Sequence, residues 1–250
     1  MANIKQLFEP MDMTVGKPWK SIAMFSIPML IGNVAQQLYS TVDSIVVGHY
    51  VGDNALAAVG SATPLFNMLL VLFVGISAGV GIMVSQYFGA KSREELSKTI
   101  GTSIILTAVI SLFMMIVMPP FIRSLLEMLN TPASILEDCT SYLVILLYGG
   151  AGMAYYNILS GILRGMGDSF SALIYLLIAT VLNIGLDLLF VAQFDMGVAG
   201  VALATVIAQG ISAALCLWKL MNMRAVFDLG KKELKMSKQY VAQIVRLGLP

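Results

Sequence analysis

Long runs of apolar residues, broken by short charged clusters, organise this chain. Six stretches are long enough to cross a bilayer, which takes about 20 apolar residues per helix. They fall at about 19–47, 55–88, 99–118, 134–163, 170–192 and 198–220. The runs are apolar on all sides rather than striped, as lipid-facing helices are. Transmembrane barrels carry alternating segments of roughly ten residues instead, and the sequence shows none. The predicted fold is an all-α membrane protein of six transmembrane helices. Pro119-Pro120 stops the third run, and Gly149-Gly150 and Gly152 interrupt the fourth. Pro28 and Pro64 each remove a helix hydrogen bond, which predicts local bending there.

Composition supports the same class. Of 250 residues, 58% are hydrophobic and only 12% charged, and the mean hydropathy is +0.85. Soluble domains carry about 25% charged residues. The net charge of +1 and the lack of a basic patch with interleaved aromatics argue against a nucleic-acid partner. Cys139 and Cys216 lie in apolar runs with no metal or disulfide spacing, and no cofactor is expected. No apolar stretch precedes Trp19, so no cleavable signal peptide is expected.

Fourteen of the fifteen Lys and Arg residues fall on one side of the predicted bundle, with Arg123 alone on the other. The positive-inside rule then places the N-terminus in the cytoplasm of a plasma-membrane protein. Residues 1–17 read as a cytoplasmic segment and 18–221 as the helical unit. Residues 222–247 read as a cytoplasmic linker, amphipathic from Lys231 to Arg246 and lying on the membrane surface. The closing "RLGLP" echoes "FSIP" at the start of the first span. A seventh helix, and with it a second copy of the six-helix unit, is expected to begin at 248–250.

Of 14 acidic residues, only Asp43 and Asp187 fall well within spans. A charge at mid-membrane costs about 2.5–3.5 kcal/mol on insertion scales, and such residues mark ion or substrate pathways. Both lie roughly 8–9 Å below the outer boundary, at 1.5 Å per residue. Tyr142 in the fourth span and Thr205 in the sixth fall at nearly the same depth. Thr180, Asn183 and Asp187 share one helical face, as do Gln36, Ser40 and Asp43, with Tyr39 one turn before Asp43. Each helix therefore carries a polar stripe suited to a wet cavity.

Several segments, in this order and spacing, resemble the MATE (multidrug and toxic compound extrusion) family. "FSIPMLIGNVAQQLYSTVDSIVVGHYVGDNALAAVG" is similar to its first helix, outer loop and start of the second helix. "GILRGMGDS" resembles the loop after its fourth helix, "LNIGLDLLF" its fifth helix and "GVAGVALATVIAQ" the start of its sixth. The resemblance covers nearly the whole chain. It implies one lobe of a twelve-helix transporter, the N-lobe, with the C-lobe absent here. It implies export of cationic or amphiphilic drugs by alternating access in exchange for protons or sodium ions. The family's N-lobe cation cluster maps onto Asp43, Asn183, Asp187, Tyr142 and Thr205, with sodium, if that is the ion, at Asp43, Asn183 and Asp187. Gln36, Tyr39 and Asn157 map onto the substrate cleft, and Pro28 onto a bend in the first helix.

Two other readings weigh less. A lipid-linked saccharide flippase of the same superfamily would line its cavity with cationic residues, and no Lys or Arg lies well inside a span. An intramembrane aspartyl protease would need Gly-x-Gly-Asp, but Leu186 replaces the second glycine before Asp187. "GMGD" at Gly165–Asp168 has that string but falls in a loop beside Arg164. A secondary transporter, not an enzyme, is expected. His49 reads as an interface residue at the outer end of the first helix.

Overall fold

The computed structural model describes residues 18–223, 226–230 and 234–248. The expected N-terminal segment 1–17, the basic residues Lys5, Lys17, Arg224, Lys231 and Lys232, and residues 249–250 lie outside them.

Nine helices form the described bundle. They are α1 (Pro18–Tyr50), α2 (Asp53–Gly89), α3 (Arg93–Val117), α4 (Pro119–Met128), α5 (Leu136–Tyr148), α6 (Gly150–Gly165), α7 (Ser169–Asp187), α8 (Gly197–Asn222) and α9 (Lys238–Gly248). A π-helical turn, Leu188–Gln193, continues α7. Among the described residues, α2, α3, α7 with its π-turn, and α8 are each long and apolar enough to cross a membrane. The α5–α6 pair makes a fifth crossing, bent by 53°. At 33 residues α1 is long enough as well, but Asn33, Gln36, Gln37, Ser40, Thr41, Asp43 and Ser44 dilute its apolar character. Both α1 and α2 run on as helix through Pro28 and Pro64.

Glycines let the helices approach closely. On the α2–α6 crossing, a Cβ at Gly161 would stand 3.0 Å from the Ser77 carbonyl oxygen, and one at Gly165 would stand 2.7 Å from that of Gly81. Such small-residue seams bring membrane helices into backbone contact. At the α5–α6 bend the space beside Gly149 is filled by the Val206 side chain, and Gly152 faces Gly210. Pro119-Pro120 ends α3 but also opens α4, because proline fits the first turn of a helix. The short α4 then buries Ile122 and Leu126.

Two apolar layers stack along the bundle. One joins Val46 and Val47 of α1 to Ala58 of α2, Leu143 of α5 and Val201 of α8. The other joins Val80 of α2, Ile100 of α3, Leu159 of α6, Cys216 of α8 and Ile244 of α9.

The described residues after α8 are held against α2 and α3. Arg93 grips Asp228 with two hydrogen bonds of 2.8 Å, and the Asp228 N–H donates to Ser97 Oγ at 2.9 Å. Phe227 is buried, Thr102 Oγ1 donates to the Lys235 carbonyl at 3.2 Å, and the Tyr240 hydroxyl donates to the Glu95 carboxylate. α9 buries Tyr240 and Ile244, one turn apart, against α2 and α3.

Candidate functional site

Four helices meet around the acidic pair. Asp43 comes from α1, Asn183 and Asp187 from α7, Tyr142 from α5 and Thr205 from α8, and all five are buried. The spacing of Asn183 and Asp187 puts them on the inner face of α7. The carboxyl groups of Asp43 and Asp187 both lie beside the Asn183 amide.

Asn183 bridges them. With its amide assigned from the surrounding network, Nδ2 donates to Asp43 Oδ1 at 2.8 Å and to Asp187 Oδ2 at 3.0 Å. Its carbonyl oxygen accepts from the Thr205 N–H at 3.3 Å. The opposite orientation would leave one contact of 3.5 Å to Thr205 Oγ1.

One atom in this network is left over. Asp187 is fully buried, and its Oδ1 has no hydrogen-bond partner. A buried polar atom without a partner costs about 1–3 kcal/mol, more when charged. A proton on a neighbouring carboxyl oxygen would give this atom a partner.

The residues expected in the cleft separate. Tyr39 belongs with the acidic cluster, because its hydroxyl donates to Thr205 Oγ1 at 2.8 Å. Gln36 and Asn157 instead line a cavity of about 60 Å³ between α1, α6 and α7, together with Pro28, Asn33 and Arg164. A larger, mainly apolar cavity of about 530 Å³ between α1, α2 and α6 shares Met29, Asn157 and Arg164 with it. His49 lies at the exposed end of α1, edge-on to Tyr50.

Two functional candidates escaped the sequence reading. Arg164, expected in a loop, lies in the last turn of α6, half-buried, with Nη2 donating to Ser160 Oγ at 3.2 Å. The i,i+4 spacing of Ser160 and Arg164 was the available signal. Asp168 is as buried as Asp187. It caps α7 by accepting from Ser171 N–H at 2.9 Å and Ser171 Oγ at 2.8 Å, and faces Lys219 Nζ of α8 at 3.5 Å. Cys139 donates to the Ala58 carbonyl. Among the described residues no three His, Cys, Asp or Glu side chains gather as a metal site.

An α-helical bundle with several apolar crossings around a buried acidic pair defines a multi-pass membrane protein. The MatE family model matches residues 28–189, more than half of the chain, and the chain belongs to that family. It is 33% identical over 240 residues to the "Probable multidrug resistance protein YoeA" of Bacillus subtilis (strain 168), covering 93% of this chain and 52% of that protein. It is also similar to a solved multidrug resistance MATE family transporter of the MOP superfamily in the outward-facing conformation. There the TM-score is 0.88 at 31% identity, over 94% of this chain and 52% of the other. Against an inward-facing conformation of such a transporter the TM-score is 0.82 at 31% identity, over 92% and 52%. The chain spans about half the length of the relatives it matches.

Proposed function

We propose that this chain forms one lobe of a secondary transporter that exports cationic or amphiphilic drugs in exchange for a cation. Its Lys- and Arg-rich end, which carries the N-terminus, faces the cytoplasm of the plasma membrane. The unpartnered Asp187 Oδ1 inside the Asp43–Asn183–Asp187 cluster carries the reading. Two carboxylates sharing one buried site repel unless a proton or cation lies between them. Binding and release of that cation then shifts the balance between conformations, and drug affinity follows as a differential between states.

The assignment of the Asn183 amide favours a proton as the coupling ion over sodium. With the two carboxyl groups taken as its acceptors, Asn183 turns its N–H donors, not its oxygen, toward them. Sodium needs oxygen ligands, so the amide would have to rotate and abandon the Thr205 N–H. Drugs would occupy the mainly apolar cavity beside α1, where Asn157 and Ser77 supply polar contacts and Arg164 is, among the described residues, the one basic lining residue. Among the described lining residues a polyanionic saccharide carrier finds no cluster of cations.

The test uses the protein expressed from its complete reading frame in an efflux-deficient bacterium and in proteoliposomes. Asp187→Asn is expected to abolish ethidium export while membrane insertion persists, and a pH gradient alone should drive transport. Full export by Asp187→Asn would overturn the cation role. Transport driven by a sodium gradient and not by pH would overturn the choice of ion.

A further inference from the structure

We propose that Arg164 makes the apolar cavity between α1, α2 and α6 select amphiphiles that carry one acidic group, a carboxylate or a phosphate monoester, over their cationic counterparts. The inference rests on the transporter reading above and names the cargo class of that cavity.

Two cavities meet at this side chain. The larger, about 530 Å³, falls within the range of drug-sized sites. Its walls are mostly apolar, with Phe25 and Met29 from α1, Val74, Ile82 and Phe88 from α2, and Met166 just after α6. The smaller, about 60 Å³, adds Asn33, Gln36 and Tyr156 beside Arg164. Among the described residues, neither cavity is lined by an Asp or a Glu. A cationic cargo therefore finds no counter-charge there and meets the guanidinium instead.

The hydrogen-bond donors of the larger cavity point the same way. The Ser77 hydroxyl is committed to the Asn157 carbonyl at 2.6 Å and the Ser85 hydroxyl to the Ile82 carbonyl at 2.8 Å. Asn157 Nδ2 donates to the Met153 carbonyl at 2.9 Å. Arginine carries five N–H donors in a planar fork, and Arg164 Nη2 donates to Ser160 Oγ at 3.2 Å. Ser160 in turn donates to the Asn157 carbonyl at 3.1 Å, which fixes the oxygen on which the guanidinium rests. Among the described residues no Asp or Glu forms an ion pair with Arg164. Asp168, the nearest carboxylate along the chain, is taken by Ser171 and Lys219. A half-buried guanidinium with no carboxylate of its own suits a planar or tetrahedral anion, to which it offers parallel hydrogen bonds and a full charge.

Depth distinguishes this arginine from an anchor at the rim. Its neighbour Gly165 packs on Gly81 of α2. Gly81 lies eight residues before the end of α2 at Gly89, about 12 Å along the helix axis. Apolar lining continues on both sides of that level, at Val74 and at Phe88. An acidic head at Arg164 thus leaves apolar wall for the body of the molecule. One arginine matches one acidic group, not the several of a saccharide carrier.

Calorimetric titration tests this on the protein expressed from its complete reading frame, in phosphatidylcholine nanodiscs, with empty discs subtracted. Two probes share one apolar body, pyrenebutyrate and pyrenebutylamine, and the parent should bind the carboxylate more tightly. Arg164→Ala is expected to raise the Kd of pyrenebutyrate about tenfold or more, as loss of a charge-assisted pair does, and to lower that of pyrenebutylamine. Arg164→Lys should recover most of the carboxylate affinity. Misfolding would weaken both probes, so the opposite shifts report the charge itself; Arg164→Gln serves if Arg164→Ala does not insert. An unchanged Kd for pyrenebutyrate in these variants overturns the anion site and leaves the cation reading standing. Asp187→Asn should keep pyrenebutyrate binding while its export from proteoliposomes is lost. Full export by that variant would sink the cation reading and leave the Arg164 result intact. Displacement of pyrenebutyrate by phosphatidylglycerol in the discs, with no export by the parent, would make Arg164 a lipid-headgroup anchor and overturn the cargo assignment.

Discussion

The Tyr39 hydroxyl on α1 reaches Thr205 Oγ1 on α8 at 2.8 Å, which ties the polar stripe of the first helix to the helix that also supports Asn183. Thr205 thus serves two neighbours, with its hydroxyl held by Tyr39 and its N–H by Asn183. Tyr39→Phe removes one buried hydrogen bond, worth about 0.5–1.5 kcal/mol. Melting in detergent should fall accordingly, and export should weaken less than in Asp187→Asn.

Asn183 supplies donors to both carboxyl groups, so its removal should be felt more strongly. Asn183→Leu is expected to lower stability by about 2–3 kcal/mol, since hydrogen bonds to charged groups are the stronger kind. Export should fall to background. Near-normal export would show that the bridge is dispensable.

Asp168 separates capping from charge. Asp168→Asn keeps an N-cap oxygen for Ser171 but abandons the ion pair with Lys219. Asp168→Ala loses both, and a lost cap adds about 1 kcal/mol to the penalty. The expected order of melting temperature is parent, then Asn, then Ala. Equal melting of the two variants would mean that the cap contributes nothing.

The α2–α6 crossing should tolerate no side chain at Gly161, where a Cβ would meet the Ser77 backbone at 3.0 Å. Gly161→Val is expected to leave little folded protein in the membrane by fluorescence size-exclusion. An increase in the distance between α2 and α6 is the only relief available, and the packed apolar layer opposes it.

At the linker, the Arg93 guanidinium holds the Asp228 carboxyl below the usual carboxylate range. A lowered folded-state pKa contributes stability that is present above the unfolded value and is lost as pH falls through the folded one. The strap should therefore stay attached at neutral pH and loosen only under strong acid. Asp228→Asn should raise proteolysis between 223 and 238 at pH 7. If cleavage of the parent and the variant match at neutral pH, the ion pair has no anchoring role.

Much of the site was legible because it rests on helical spacing. Asn183 and Asp187 stand on one face of α7 by arithmetic alone, and the shared depth of Asp43, Tyr142 and Thr205 followed from counting along each span. Spacing says nothing about which neighbour a long side chain chooses. Tyr39 could equally have pointed into the cleft with Gln36, and only the packing of α1 on α8 decides it. Arg164 and Asp168 were hidden for another reason. They flank a tight turn at Gly165–Gly167, where charge reads as solvent exposure, and the partner of Asp168 lies on a helix fifty residues away. The amphipathic pattern of α9 was plain, but the glycines that receive it are small residues in an apolar run, which carry no signature of their own.

The π-turn at Leu188–Gln193 begins directly after Asp187. Such turns are rare and cluster at functional sites. A π-turn holds one residue more than the matching α-helical turn, and each residue advances a helix by about 100°. Everything after Asp187 is therefore rotated relative to the face that carries the carboxylate. Deleting one residue between Leu188 and Gln193 would restore a regular α-helix and turn Val191 out of the apolar layer.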